Sequence, residues 1–233
     1  MLSQFLYPRD FLHEQGARYD GSLGGGAAAD LGSYVYGMLR VVGGSWPIVT
    51  HAKGCTWSND SHIDEELSGS VRFPSDNSVV GTFRMSFIMP RKRDGSALLT
   101  VTGSKGTLTF DKFFSPQVGV IRFGNANVTS GPQLSKLPSY AHQMLAFSRL
   151  VRAVSNASPS LSTANAGSKD LGEMMSTGQG SLELARVMDE AYALAGISHV
   201  GPSGVQPSTA PPPSPSAPAC EKAADGRSSA HVR

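Results

Sequence analysis

The chain has 233 residues, 39% of them hydrophobic, with a formal charge of +2 and a mean hydropathy of -0.15. That is enough sequence for one good-sized domain with a real core, and so even a charge balance selects neither nucleic acid nor a membrane surface. No stretch approaches the roughly 20 apolar residues of a membrane span. The N-terminus lacks the charged-then-apolar layout of a signal peptide, and the two cysteines, Cys55 and Cys220, sit in unlike contexts that indicate neither a disulfide framework nor a metal site. The expectation is a cytoplasmic protein in a reducing environment.

In chain order, residues 1–15 set Phe5, Tyr7 and Phe11 against Arg9, Asp10 and Glu14 with no clean period, and read as a connecting segment. Gly24, Gly25 and Gly26 form a flexible lip that leads through Ala27 to Ala29 into a helix over about 28–42, closed by Gly43 and Gly44. On that helix Asp30 and Tyr34 are four residues apart and share one face. Gly24, Gly26 and Ala29 also fit the spacing of a dinucleotide fingerprint. The residues before them, 16–22, are polar, however, and supply no buried strand for a βαβ unit, so a lip lining some other site is the better reading.

Strand after strand follows. Residues 47–56, 67–73, 79–87, 97–102, 107–110 and 118–123 carry β-branched or alternating apolar residues, with turns at 74–77, 91–95 and 103–106. Val79, Gly81, Phe83, Met85 and Phe87 fall on one face of their strand, which predicts a hairpin with 67–73 and a sheet that needs cover on one side. Two helices are available to cover it. Tyr140, Met144, Phe147, Val151 and Val154 make an apolar stripe over about 139–155. A second helix over about 170–195 carries Leu171, Met174, Met175, Leu182, Ala185, Met188 and Tyr192. It either breaks at Gly178 and Gly180 or uses them for close packing. Seven of the fifteen prolines lie from Pro202 to Pro218, so residues 198–233 read as a disordered tail. The fold class expected is α+β: an open, mostly antiparallel sheet with helices on one face.

Residues 24–34, Gly-Gly-Gly-Ala-Ala-Ala-Asp-Leu-Gly-Ser-Tyr, resemble the signature that opens the second domain of the glucose-fructose oxidoreductase/inositol dehydrogenase (Gfo/Idh/MocA) family. Arg18, Tyr19 and Asp20 before it are similar to the dihydrodiol and D-xylose dehydrogenase branch. Further matches follow in order: Val71 to Pro74 after the acidic pair Asp64 and Glu65, Val101 to Leu108, His142 to Phe147 and Ala191 to Gly196. The resemblance spans residues 16–197 and makes them the substrate and oligomerisation half of an NAD(P)-dependent oxidoreductase acting on the CH–OH group of a sugar or cyclic diol. It implies that NAD or NADP is bound by a preceding Rossmann domain, together with a catalytic lysine, and not by this chain. The chain is then a shortened member, inactive alone, and dimeric through its sheet.

By the same resemblance Tyr34 is the acid/base and Asp30 orients the substrate hydroxyl, with Arg18, Gly25 and Gly26 contributing to substrate binding. A tyrosine with an ordinary pKa near ~10 must be tuned by neighbours to act near neutral pH. On the residues alone, Tyr34 packs against the sheet and Asp30 is a favourable charge in a first helical turn. His51 and His62 have no third metal ligand at suitable spacing. Trp46 and Trp57 are either pocket walls or packed aromatics. A second function class also fits: a non-catalytic α+β module that self-associates or binds a partner oxidoreductase.

Overall fold

The structure, a computed structural model, describes residues 1–8, 16–89, 96–115, 117–130, 137–156, 178–198 and 218–220. Its strands are β1 (Leu2–Pro8), β2 (Ile48–Trp57), β3 (Asp60–Phe73), β4 (Asp76–Met89), β5 (Ser96–Gly103), β6 (Gly106–Asp111), β7 (Val120–Phe123) and β8 (Ala126–Ser130). The helices are α1 (Ala27–Gly43), α2 (Ser139–Asn156) and α3 (Gly178–Ala195). Together the strands form one open sheet in the order β2-β3-β4-β1-β5-β6-β7-β8. Every neighbouring pair is antiparallel except β1 and β4.

The start of the chain is therefore no connector. Strand β1 lies in the middle of the sheet, with Phe5 opposite Met85 on one side and Ala97 on the other. Its run is short and passes directly into charged residues, so no local period announces it, and its parallel partner lies some 80 residues away in sequence. Residues 9–15 lie outside the described residues.

The hairpin of β3 and β4 forms as its alternation predicts, and Gly81, Phe83, Met85 and Phe87 are all buried. Helix α1 lies over them through Leu31, Val35, Tyr36 and Leu39. Gly81 is needed there, because a Cβ would press on Val71, Phe73 and Leu39. Gly44, at φ 74°, ends α1 by donating to the carbonyl of Arg40 at 2.9 Å. Helix α3 packs Val187, Ala191 and Tyr192 against β2 and α1, while Leu182 and Ala185 of its expected stripe are exposed. It is described from Gly178, and Gly180 within it is buried; 170–177, with Leu171, Met174 and Met175, lie outside the described residues, as does the expected turn at 91–95.

Two expectations are corrected here. Helix α2 forms over the expected residues, yet Tyr140, Met144 and Phe147 are 73%, 65% and 60% exposed and do not cover the sheet. Periodicity shows that a helix has an apolar stripe and leaves open what meets it. The side chains of Val151 and Val154 lie outside the described residues. The second correction concerns the cysteines: Cys55 and Cys220 are joined in a disulfide across 165 residues. Ala219 makes an isolated parallel bridge to Thr56, so at least Pro218 to Cys220 of the expected tail are placed. The other residues of 199–233 lie outside the described ones. No local signal could have revealed a pair so far apart in sequence.

Candidate functional site

The glycine lip is a scaffold beneath the site. Two short 3-10 turns, Ala17–Tyr19 and Gly21–Leu23, fold the approach to α1. Asp20 locks them: its carboxylate accepts from the backbone N–H of Ser22 at 2.9 Å and from the Ser22 hydroxyl at 2.6 Å. The amide of Gly25 then donates to the carbonyl of Asp20, and that of Gly26 to the carbonyl of Arg18, both at 2.9 Å. A Cβ on Gly25 would strike the carbonyls of Ala17 and Arg18, and Gly26 holds φ 129°, where side chains are strained.

Beside Gly26 lies the fully buried carboxylate of Asp64, from β3. It accepts from the backbone N–H of Ala28 at 2.9 Å and from the Tyr192 hydroxyl at 2.8 Å. One anion thus holds the N-terminus of α1, strand β3 and helix α3 together. The negative charge favoured at a helix N-terminus is supplied from within the fold. The Gly25, Gly26 and Ala28 amides are committed to protein acceptors. Gly25 and Gly26 do not line the cavity described next.

One turn further along α1, Asp30 and Tyr34 face a cavity of about 800 Å³. Arg18 enters from the 3-10 turn and donates from Nε to Oδ2 of Asp30 at 2.7 Å. Strand β1 supplies Phe5 and Tyr7; Phe5 meets Tyr34 edge-on at 5.5 Å and stacks on Phe114 at 4.8 Å. Helix α2 supplies Tyr140 at the rim, close enough to Tyr34 to act on its titration. Partial burial raises the pKa of Tyr34 above its ordinary value, and Tyr140 and then Asp30 push it further the same way. Tyr7 is likewise raised by burial and by Asp30. Both phenols are therefore protonated donors at neutral pH. The hydrogen bond to Asp30 raises the pKa of Arg18, so the guanidinium is engaged at the carboxylate.

Of the residues expected in the site, Arg18, Asp30 and Tyr34 come together. Sequence reasoning missed Tyr7, assigned to a connector, and Tyr140, assigned to the sheet cover. Once residues 2–8 are known to be a strand, the i, i+2 spacing of Phe5 and Tyr7 puts both on one face, but nothing local announced the strand. The remaining candidates lie elsewhere. His51 and His62 are exposed, His62 Nδ1 lying 2.7 Å from the carbonyl of Ser198. Trp46 sits under the Arg40 guanidinium and Trp57 packs edge-on against Tyr19. Among the described residues no group of His, Cys, Asp and Glu could hold a metal ion, and no helix is long and apolar enough to cross a membrane.

Similarity to known proteins falls on this same architecture. Residues 2–109 match the family model of the GFO/IDH/MocA C-terminal domain. The match covers a little under half of the chain and starts with β1, so strand β1 belongs to the matched unit. No curated protein matches the chain. Among solved structures, a levoglucosan dehydrogenase in complex with NADH and levoglucosan superposes with a TM-score of 0.58 at 16% identity, over 83% of this chain and 55% of that one. An oxidoreductase from Sinorhizobium meliloti gives a TM-score of 0.54 at 15% identity, over 83% and 54%. A 3-ketoreductase variant from Actinomadura kijaniata, bound to TDP-benzene and NADP, gives 0.50 at 17%, over 65% and 45%. At these identities the likeness shows a shared fold. The chain spans about half the length of the structures it matches.

Proposed function

We propose that this chain is the substrate-binding half of an NAD(P)-dependent oxidoreductase of the Gfo/Idh/MocA type, acting on the CH–OH group of a sugar or cyclic diol. The observation that carries this reading is the convergence of Arg18, Asp30 and Tyr34 on one aromatic-walled cavity. A ring-shaped polyol has apolar faces that pack on the aromatic wall at Phe114, behind which Phe5 is buried, and hydroxyls that match the phenols and the carboxylate. The partial family match and the shared fold point the same way. The closer likeness to the dihydrodiol and D-xylose dehydrogenase branch rests on residues 18–20.

Tyr34 is the acid/base of the reading and Asp30 the group that orients the reacting hydroxyl. With its pKa raised, Tyr34 holds its proton at neutral pH and is set to donate it to a carbonyl oxygen in the direction of reduction. Acting as a base requires a nearby cation. Arg18 is occupied by Asp30, so that charge comes from outside the described residues, as does the nicotinamide. Levoglucosan, D-xylose and myo-inositol, titrated separately into the labelled protein, test the site by NMR. Shifts at Tyr34 and Tyr7 that are lost in Asp30→Asn and Tyr34→Phe support it. No binding by any of the three, or binding indifferent to both substitutions, overturns it.

A second reading, a non-catalytic module that self-associates or binds a partner oxidoreductase, is favoured by the exposed Met144 and Phe147 on α2. In that case the mass in solution falls to that of a monomer when both residues become lysine.

A further inference from the structure

Strand β2 is an edge of the sheet. Near its end the register with β3 slips between Cys55 and Thr56 and again between Thr56 and Trp57. The C-terminal segment docks at this irregular place. Thr56 donates its amide to the carbonyl of Pro218 at 3.1 Å and accepts from the amide of Cys220 at 2.9 Å. Cys220 is buried, as is Thr56, while Pro218 and Ala219 are exposed. The docked residues thus hold on through two backbone hydrogen bonds, one small buried side chain and the bond to Cys55. Fixing three residues in one backbone conformation takes more free energy than two such hydrogen bonds return. Among the described residues, the covalent bond is the strongest of these holds.

We propose that Cys55 and Cys220 form a reversible redox clasp, whose oxidised state adds the C-terminal segment to the β2 edge and whose reduced state releases it. In the reducing step a dithiol's thiolate attacks one sulfur of the pair and a mixed disulfide forms. The dithiol's second thiolate then closes its own disulfide, and Cys55 and Cys220 leave as two thiols carrying the two protons. Release uncovers the Thr56 N–H and C=O on a sheet edge, groups suited to pairing with another strand. Trp57 is next in sequence and packs on Tyr19, which adjoins Arg18 of the cavity. The clasp therefore lies one aromatic contact from the candidate site.

The test uses the full chain, isolated without reductant and then treated with dithiothreitol. Alkylation with mass spectrometry reads the thiols, and hydrogen exchange reads the Thr56 and Cys220 amides. Both cysteines should resist alkylation in the folded protein and label fully after reduction. The two amides should then exchange roughly tenfold faster or more, with α1 unchanged, and glutathione disulfide should restore protection. Cys220→Ser should show the fast exchange at Thr56 without any reductant. Alkylation of both thiols before reduction overturns the proposal, and so does protection that survives reduction. Loss of α1 protection on reduction does so as well, since the bond would then be a staple of the whole fold.

Discussion

Arg18 and Asp30, twelve residues apart, meet through Nε and Oδ2 at 2.7 Å on the wall of the cavity that Tyr34 faces. The pair ties the 3-10 turn before α1 to the helix itself and puts a carboxylate close to two phenols. Both side chains are partly exposed, at 51% and 27%, so the pair contributes little to stability, about 1 kcal/mol or less. Asp30→Asn should leave the melting temperature nearly unchanged. It should also lower the pKa of Tyr34 and of Tyr7, because a negative neighbour is removed. Labelled-tyrosine NMR across the alkaline range checks both shifts.

Tyr140 reaches the same phenol from the other side. After burial, its proximity is the next cause that favours the protonated form of Tyr34. Tyr140→Phe should therefore lower the Tyr34 pKa, again read by NMR. A Tyr34 titration that does not move would mean that α2 does not hold the rim of the cavity in solution.

The buried carboxylate of Asp64 should be the most sensitive polar group in the fold. Asp64→Ala removes the acceptor of the Ala28 amide and of the Tyr192 hydroxyl and opens a void, for an expected loss of about 3 kcal/mol or more. Tyr192→Phe removes one of those two partners and should lose less. Gly26→Ala should also be severe, since it combines a strained φ with a Cβ driven into the Asp64 carboxylate. At Gly178 a Cβ meets nothing among the described residues, and Gly178→Ala should be neutral or stabilise by up to ~1 kcal/mol. Urea denaturation of the four variants gives the ranking.

Tyr36 and Tyr192 are buried, and burial first, then Asp64, raises both well above the ordinary tyrosine pKa. A group whose pKa is higher folded than unfolded adds stability that is fully present below the unfolded pKa and is lost as pH rises through the folded value. Stability should therefore hold to about pH 10 and fall steeply above it. The Tyr36 hydroxyl has no hydrogen-bond partner among the described residues. Tyr36→Phe should thus cost little at neutral pH and soften the alkaline loss. Urea midpoints measured from about pH 8 to about pH 11 test both statements.

Sequence alone determined the parts of this protein whose information is local. Helix α1 with its glycine stop, the β3–β4 hairpin and its buried face, and the shared face of Asp30 and Tyr34 all follow from spacing, because helix and strand periods are properties of neighbouring residues. Tertiary structure decided what depends on partners distant in the chain. Strand β1 became central through pairing with β4 and β5, and strand β8 formed against β7 from residues that carried no strand expectation. Tyr7 and Tyr140 entered the site from segments read as connector and cover. Gly25 and Gly26 lie outside the cavity, held by the backbone of Arg18 and Asp20 and by Asp64. The Cys55–Cys220 bond spans most of the chain. Periodicity reports which face a residue occupies; only the folded chain sets which surface that face will meet.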